Sequence, residues 1–319
     1  MYAIVVYHLD GYVRPARSSP PVILFSDAAR VNHEALRRAS ATSAPAPLLD
    51  LEPADIYIRP VSSLTEFRAC VGLQAEVWGP EYTDSVPASL LQVATYVGGV
   101  VLGAFTASDE LVGFLFGLTG IDESEIVHWS HLLGVRDAAR NLGVGRLLKE
   151  AQRTELAKRG VTRMSWTFDP LVAKNAYLNL NRLGARVVEY VPNMYGTTTS
   201  PLHYGIATDR LIVSVDTHAT APVREVIEPA PARQPVLSLE IQDGDVALDV
   251  ASPPEALWIE IPSDIQHVIE QSPSAGVAWR EAVREHFQWA LARGYEVTAL
   301  QRDPVASRSF YLLQRKVAA

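Results

Sequence analysis

A single cysteine, Cys70, among 319 residues excludes an intrachain disulfide and any metal site built from several thiolates. Alone, it reads as a small buried apolar side chain. No apolar run approaches the ~20 residues that a membrane-spanning helix needs, and the best candidate, Tyr96 to Phe105, is broken by glycines. No basic leader or cleavage site follows Met1, so a cytoplasmic protein without a membrane partner is expected. Known phosphate-loop signatures are also missing: there is no third glycine in dinucleotide-binding register and no Gly-Lys-Ser/Thr. A nucleophile elbow, a His-Glu-x-x-His helix and a calcium loop are absent too, and no metal is expected. The net charge of −8 argues against nucleic acid as a partner. What is present is an ordinary composition, 48% hydrophobic, in a chain long enough for two domains.

Residues 1–54, with the Ser19-Pro20-Pro21 break and an Ala/Ser/Pro-rich end, read as a partly disordered N-terminal appendage. Strand and helix signals alternate from there, so 55–216 reads as one α/β domain. A strand is expected at Ile56 to Arg59 and a helix from Ser63 to Val77, followed by a hairpin, Val97 to Thr106 with Leu111 to Leu118. Then come a strand at Ile126 to Val135, a helix from Val144 to Arg159, a strand at Met164 to Phe168 and a helix from Ala173 to Leu183. Arg186 to Tyr190 and Arg210 to Val215 close the series. The Pro/Ala-rich stretch 217–236 reads as a linker and 237–319 as a smaller α+β domain. In the latter, Trp279, Ala282, Val283, His286, Phe287, Ala290 and Leu291 form a helical stripe, read as core with His286 a hydrogen-bonded core histidine. Covering a sheet edge, shaping a pocket and supporting a homodimer remain open uses for that helix.

The chemistry-bearing segment is the strand Ile126 to Val135, which runs through Arg140-Asn141-Leu142-Gly143-Val144-Gly145 directly into a helix. A pyrophosphate needs backbone N–H donors converging at a helix N-terminus, and positions without side chains let it approach them. Arg136, Arg140, Arg146, Lys149 and Arg153 crowd the segment, suiting phosphates in an otherwise acidic chain. A solvated basic helix after a tight turn would look the same.

With Arg140, Gly143 and Gly145 in an Arg-x-x-Gly-x-Gly arrangement, the segment resembles the GNAT family of acyl-CoA-dependent N-acyltransferases. The element order over Ile56 to Val215 is similar to that family's. Leu73-Gln-Ala-Glu-Val-Trp-Gly79, Ser130 to Val135, Trp166-Thr-Phe-Asp-Pro-Leu171, Asn175-Ala176, Asn193-Met-Tyr-Gly196, Trp258-Ile-Glu-Ile-Pro262 and Trp279-Arg280 look like a two-domain bacterial subgroup. Some of its relatives are associated with N-succinylation of amino acids. The resemblance implies a mixed central sheet flanked by helices and an acyl-CoA co-substrate, acetyl-CoA or succinyl-CoA. The acceptor it implies is a small-molecule amine, an amino acid before other metabolites.

It also implies roles. Leu132, Leu133, Gly134 and Val135 would contact the pantetheine and thioester through their backbone, while Arg140 to Gly145, Arg146 and Asn175 would bind the rest of the cofactor. The family's glutamate position is occupied by Trp129 and its tyrosine position by Leu180. Replacement bases considered are His131, with Ser130 or a water, and Glu76. Asp169 would either cap the next helix or hold the amine, and Tyr177 or Tyr195 would replace the acid. Arg182, Arg186, Arg210 and Arg280 are equal candidates for a substrate carboxylate. The missing acid and base leave a second reading open, a non-catalytic acyl-CoA-binding module.

Overall fold

Ser63 starts the first helix by a reciprocal cap: its hydroxyl accepts from Glu66 N–H, and the Glu66 carboxylate accepts from Ser63 N–H. In the computed structural model, which describes residues 55–80, 82–196, 206–219, 236–238, 254–303 and 307–315, that helix is α1 (Leu64–Trp78), following β1 (Ile56–Pro60). Next are α2 (Ala88–Tyr96), β2 (Val100–Thr106), β3 (Leu111–Asp122), β4 (Glu125–Val135), α3 (Val144–Lys158) and β5 (Arg163–Phe168). The first unit ends with α4 (Ala173–Tyr177), β6 (Arg186–Val191) and β7 (Arg210–Asp216). A second unit contains β8 (Val236–Leu237), β9 (Ala256–Pro262), α5 (Ile265–Gln271), α6 (Pro273–Ala292), β10 (Tyr295–Asp303) and β11 (Arg308–Arg315). The appendage 1–54 and most of the linker lie outside the described residues. Among the described residues, no helix is long and apolar enough to cross a membrane.

The fold is mixed α/β. Seven strands form one sheet in the order β1-β2-β3-β4-β5-β7-β6, antiparallel except between β4 and β5, and β10-β11-β9-β8 form a second. Every residue of β2 is buried, because helices cover both faces of the sheet there. One face meets α1 and α2 through Phe67, Leu73, Leu91, Phe105, Phe114 and Phe116. The other meets α3 through Val144, Leu148, Ala151 and Leu156, and this cluster runs on without a break into Leu257, Ile259 and Tyr311 of the second sheet and Phe287 of α6.

Four elements lacked a readable signal. Helix α2 buries only Leu91 and Ala94 and leaves Leu90, Val93 and Tyr96 exposed, so it carries no one-sided apolar period. The two-residue β8 and the seven-residue α5 are too short to establish one. After α4 the chain widens into a π-turn, Leu178–Arg182, with Leu183 N–H reaching back to Leu178 O. The extra residue turns Asn179 and Asn181 inward, correcting the uniform helix expected from Ala173 to Leu183. Asn179 Oδ1 accepts from Trp166 Nε1 at 2.8 Å and Asn181 Oδ1 from Leu300 N–H at 3.0 Å. His286 is corrected too: it is half-buried, and its buried Nδ1 has no hydrogen-bond partner among the described residues.

Two bidentate ion pairs hold the second unit against the first. Arg280 of α6 donates to both oxygens of Asp169, at 2.8 and 2.6 Å, just beyond the end of β5. Arg284, one turn later, grips Asp209 at 2.8 and 2.7 Å just before β7. Tyr311 Oη donates to Pro170 O, and Tyr190, itself bonded to Asp209, stacks on Phe287. Burial alone would raise the pKa of Asp169, but Arg280 outweighs it and holds the carboxyl below its usual value; Arg284 and Tyr190 do the same for Asp209.

Asp169→Ala should destabilise the protein by about 3–5 kcal/mol, since it leaves a buried guanidinium unpaired, whereas Asp169→Leu combined with Arg280→Met should recover most of that loss. Both folded carboxyl pKa values are depressed, so their contribution is complete above the ordinary aspartate value and is lost as pH falls below it. Urea unfolding midpoints should therefore drop on acidification below about pH 4.

Candidate functional site

Strands β4 and β5 pair over three rungs only, Val127 with Arg163, His128 with Met164 and Trp129 with Ser165. Beyond Trp129, β4 continues against β3 as far as Val135, while β5 continues against β7 as far as Phe168. The two strands therefore form a fork, and the backbone groups of Ser130 to Val135 that face β5 make no ladder bond to it. Such groups are obligatory hydrogen-bonding positions awaiting an extended partner.

A β-bulge sits at the mouth of the fork. Gly117 pairs with Ser130 and Phe116 with Leu132, so His131 has no residue opposite. Below the bulge, His128 and Ser130 face α3, where they meet Gln152 and Lys149. Above it, Leu132 joins the α1-side core and Gly134 lies under Leu73 and Trp78, while Leu133 packs toward α3. His131 stands on the α1 side, exposed and edge-on to Phe116 at 6.0 Å, and its partial removal from water lowers its pKa, which favours the neutral imidazole.

From Val135 the chain passes through a 3-10 turn, Asp137–Ala139, then Asn141 at φ 68° and Gly143 at φ 78°, into α3. Gly143 is the N-cap and supplies no side chain, so the first-turn N–H groups of Val144, Gly145 and Arg146 have no intrahelical or capping acceptor. With the positive end of the helix dipole, they form a ready anion site. The two glycines differ in purpose. Gly143 is dictated by its backbone, whereas a Cβ on Gly145 would meet only Leu133, at an ordinary 3.5 Å. Nothing among the described residues demands a glycine at 145, which fits close approach from outside.

The basic cluster read from the sequence divides into separate duties. Arg136 is bound to Glu110 at 2.6 Å and Glu76 at 3.0 Å, and Arg153 donates to the carbonyls of Asp216 and Thr217. Arg140 and Arg146 remain at the loop in exposed pairs with Asp137 and Glu150. Exposed pairs of this kind contribute about 0–1 kcal/mol, so an arriving phosphate can replace the acid at little expense. Lys174, not singled out from the sequence, joins them by donating to Asn141 Oδ1. It also lines a cavity of about 460 Å³ with Arg302 and Asp264 of the second unit. Asn175 is exposed beside it.

Lys149 points inward. It is 6% exposed, donates to Ser130 Oγ at 2.8 Å and lies 4.0 Å from the centre of the Trp166 ring. It forms no ion pair with a carboxylate among the described residues, and burial pushes its pKa well below the usual lysine value. The Trp166 face favours the ammonium by about 2 kcal/mol, while removing an unpaired ion from water costs several kcal/mol, so burial shifts the balance toward the neutral amine.

The remaining candidates are dispersed. Both Asp169 oxygens bind Arg280, and Oδ1 also accepts from Leu171 N–H, so the carboxylate serves the unit interface and the local turn. Glu76 is engaged by Arg136 on α1. Tyr195 Oη lies 3.3 Å from Thr167 Oγ1, and the Arg210 guanidinium approaches its ring at 5.3 Å. Tyr177 is half-buried with Arg302 over its ring. Among the four arginines, Arg182 is exposed, Arg186 is highly exposed near Glu296 and Arg280 is locked to Asp169. Arg210 lies over the Tyr195 ring and 3.6 Å from Asp169 Oδ2.

No family model and no curated protein matches the chain. Solved structures similar to part of it include the ribosomal-protein-S18-alanine N-acetyltransferase from Escherichia coli. That alignment has 16% identity and a TM-score of 0.41, and it covers 52% of this chain and 97% of the other. A GNAT family acetyltransferase from Elizabethkingia anophelis with acetyl-CoA bound is similar at 16% identity and TM-score 0.35, covering 51% and 98%.

The two loop glycines should separate in their effects on stability. Gly143→Ala should cost about 1–2 kcal/mol through its left-handed backbone, and Gly145→Ala should stabilise by about 0.5–1 kcal/mol as a helix residue. Urea denaturation of the two variants checks both signs.

Proposed function

We propose that the chain transfers an acyl group from acyl-CoA to the amine of a small metabolite by direct attack on the thioester. The observation that carries this reading is the fork: a strand edge left unpaired from Ser130 to Val135 leads straight to an uncapped helix N-terminus at Gly143. A pantetheine arm carries amides along its length and a pyrophosphate at one end, and the fork offers matching groups in the same order. Leu132 to Val135 would bond the arm, and the N–H groups of Val144 to Arg146, with Arg140 and Lys174, would hold the phosphates. The thioester would then lie at the bulge, where a β4 N–H faces the developing oxyanion.

The attacking amine must be neutral, and His131, whose neutral form is favoured on the α1 side of the bulge, suits that requirement better than the ion-paired Asp169 or Glu76. The donor we propose is acetyl-CoA or succinyl-CoA and the acceptor an amino acid. The likeness to the two-domain subgroup supports both. The engagement of Asp169 and Glu76 favours one other reading, a module that binds acyl-CoA without turnover.

Supplying purified protein and a cell-metabolite extract separately with acetyl-CoA and succinyl-CoA, and following free thiol and new masses, decides between them. Transfer predicts CoA release matched by one product heavier by the acyl group. Tight acyl-CoA binding with no thiol released from either donor would leave only the binding module. Gly145→Val should weaken CoA binding about tenfold or more by calorimetry, through loss of close approach to the helix N–H groups.

A further inference from the structure

The base of the fork holds a side chain that the loop and the bulge do not account for. Ser130 is the first β4 residue beyond the last rung with β5, and Trp166 is the first β5 residue beyond it. Lys149 Nζ bridges the two, 2.8 Å from the hydroxyl and 4.0 Å from the ring centre. The charged and titratable groups around it are all engaged elsewhere. On α3, Glu150 pairs with Arg146, and Arg153 turns to the carbonyls beyond β7. On β4, His128 is fixed between Thr119 and Gln152, both at 2.9 Å. Burial above all, with the Arg159 charge adding to it, holds the His128 pKa below its usual value, so it stays neutral. Gln152 Oε1 is buried without a hydrogen-bond partner, and among the described residues no carboxylate pairs with Lys149 to hold it in its charged form.

We propose that Ser130 and Lys149 form the proton relay of the acyl transfer, with Ser130 Oγ meeting the reacting groups and Lys149 acting through it as a positioning residue and proton store. The proposal rests on the acyl-transfer reading. As the amine nitrogen bonds to the thioester carbon, its proton passes to Ser130 Oγ and the hydroxyl proton passes to Lys149 Nζ. When the C–S bond breaks, the ammonium returns a proton through Ser130 to the sulfur, giving amide, thiol and neutral lysine. One pair thus performs the tasks of base and acid, the two roles whose usual positions hold Trp129 and Leu180. His131 then orients the amine from the other side of the strand.

The chain has four lysines, Lys149, Lys158, Lys174 and Lys316, so the full-length protein labelled with carbon-13 at lysine Cε gives a spectrum simple enough to follow by pH. The signal lost in Lys149→Met should titrate below the other three, and one that titrates with them overturns the relay. CoA release from acetyl-CoA with cell-metabolite extract as the amine pool should slow at least about 100-fold in Lys149→Met, Lys149→Arg and Ser130→Ala. Acetyl-CoA affinity should stay within about threefold, and the melting temperature of Lys149→Met should not fall, because an unpaired buried amine is removed. The acid limb of the wild-type rate profile should follow the Lys149 titration and vanish in Lys149→Met, an effect that a mere spacer would not produce. If Lys149→Met binds acetyl-CoA and turns over within about threefold of wild type, the relay is wrong and acyl transfer stands. Wild-type protein that fails to bind acetyl-CoA removes both.

Discussion

Everything at the site follows from how briefly β4 and β5 pair. They are the parallel neighbours in an otherwise antiparallel sheet, and each has another strand to follow after the third rung. Because β3 holds β4 and β7 holds β5, the fork opens without sacrificing ladder bonds on the outer sides. The bulge at His131 adds a change of face along β4. A regular strand would send Ser130, Leu132 and Gly134 to one side; here Ser130 serves α3, and Leu132 and Gly134 close against α1. The edge between them is left to backbone groups.

A fork is useful only if its arms keep their separation, and the second unit contributes to that on the β5 side. Arg280 clamps Asp169 at the end of β5, and Arg284 clamps Asp209 where β7 begins. Buried ion pairs contribute little net stability compared with apolar residues of the same shape, but they impose one geometry because each partner is costly to separate. The continuous core that runs from α3 to Phe287 and Tyr311 supplies the bulk of the adhesion. The ion pairs then set where the strand ends lie.

Much of this was legible in the sequence because it rests on local patterns. The strand running into the Gly143 turn, the helix beginning at Ser63 and the stripe along α6 are each encoded within a few residues. What escaped depends on partners distant in the chain. Asp169 looked like a cap or an amine anchor until Arg280, 111 positions later, took both its oxygens. Register cannot be read from one strand, so the bulge that leaves His131 unopposed was invisible. The π-turn escaped because periodicity assumes a constant residue count per turn. Lys149 was counted with the phosphate-binding arginines because of its place in the chain, yet it shares a helix face with Gly145, Gln152 and Leu156, and that face looks inward.

That last misreading carries the strongest physical contrast in the molecule. Arg140 and Arg146 keep their charge in water and spend it on exposed acids that a ligand can displace. Lys149, three residues beyond Arg146, is buried where charge is penalised and no acid compensates. A core built only for stability would place methionine there, which fills the same volume and needs no partner. An amine becomes an advantage in such a place only when its protonation state must change during work, because burial brings the neutral and charged forms closer in energy than water does. Two cationic residues on one helix thus divide the labour by solvent exposure alone, the outer binding anions with permanent charge and the inner moving a proton because its charge is not permanent.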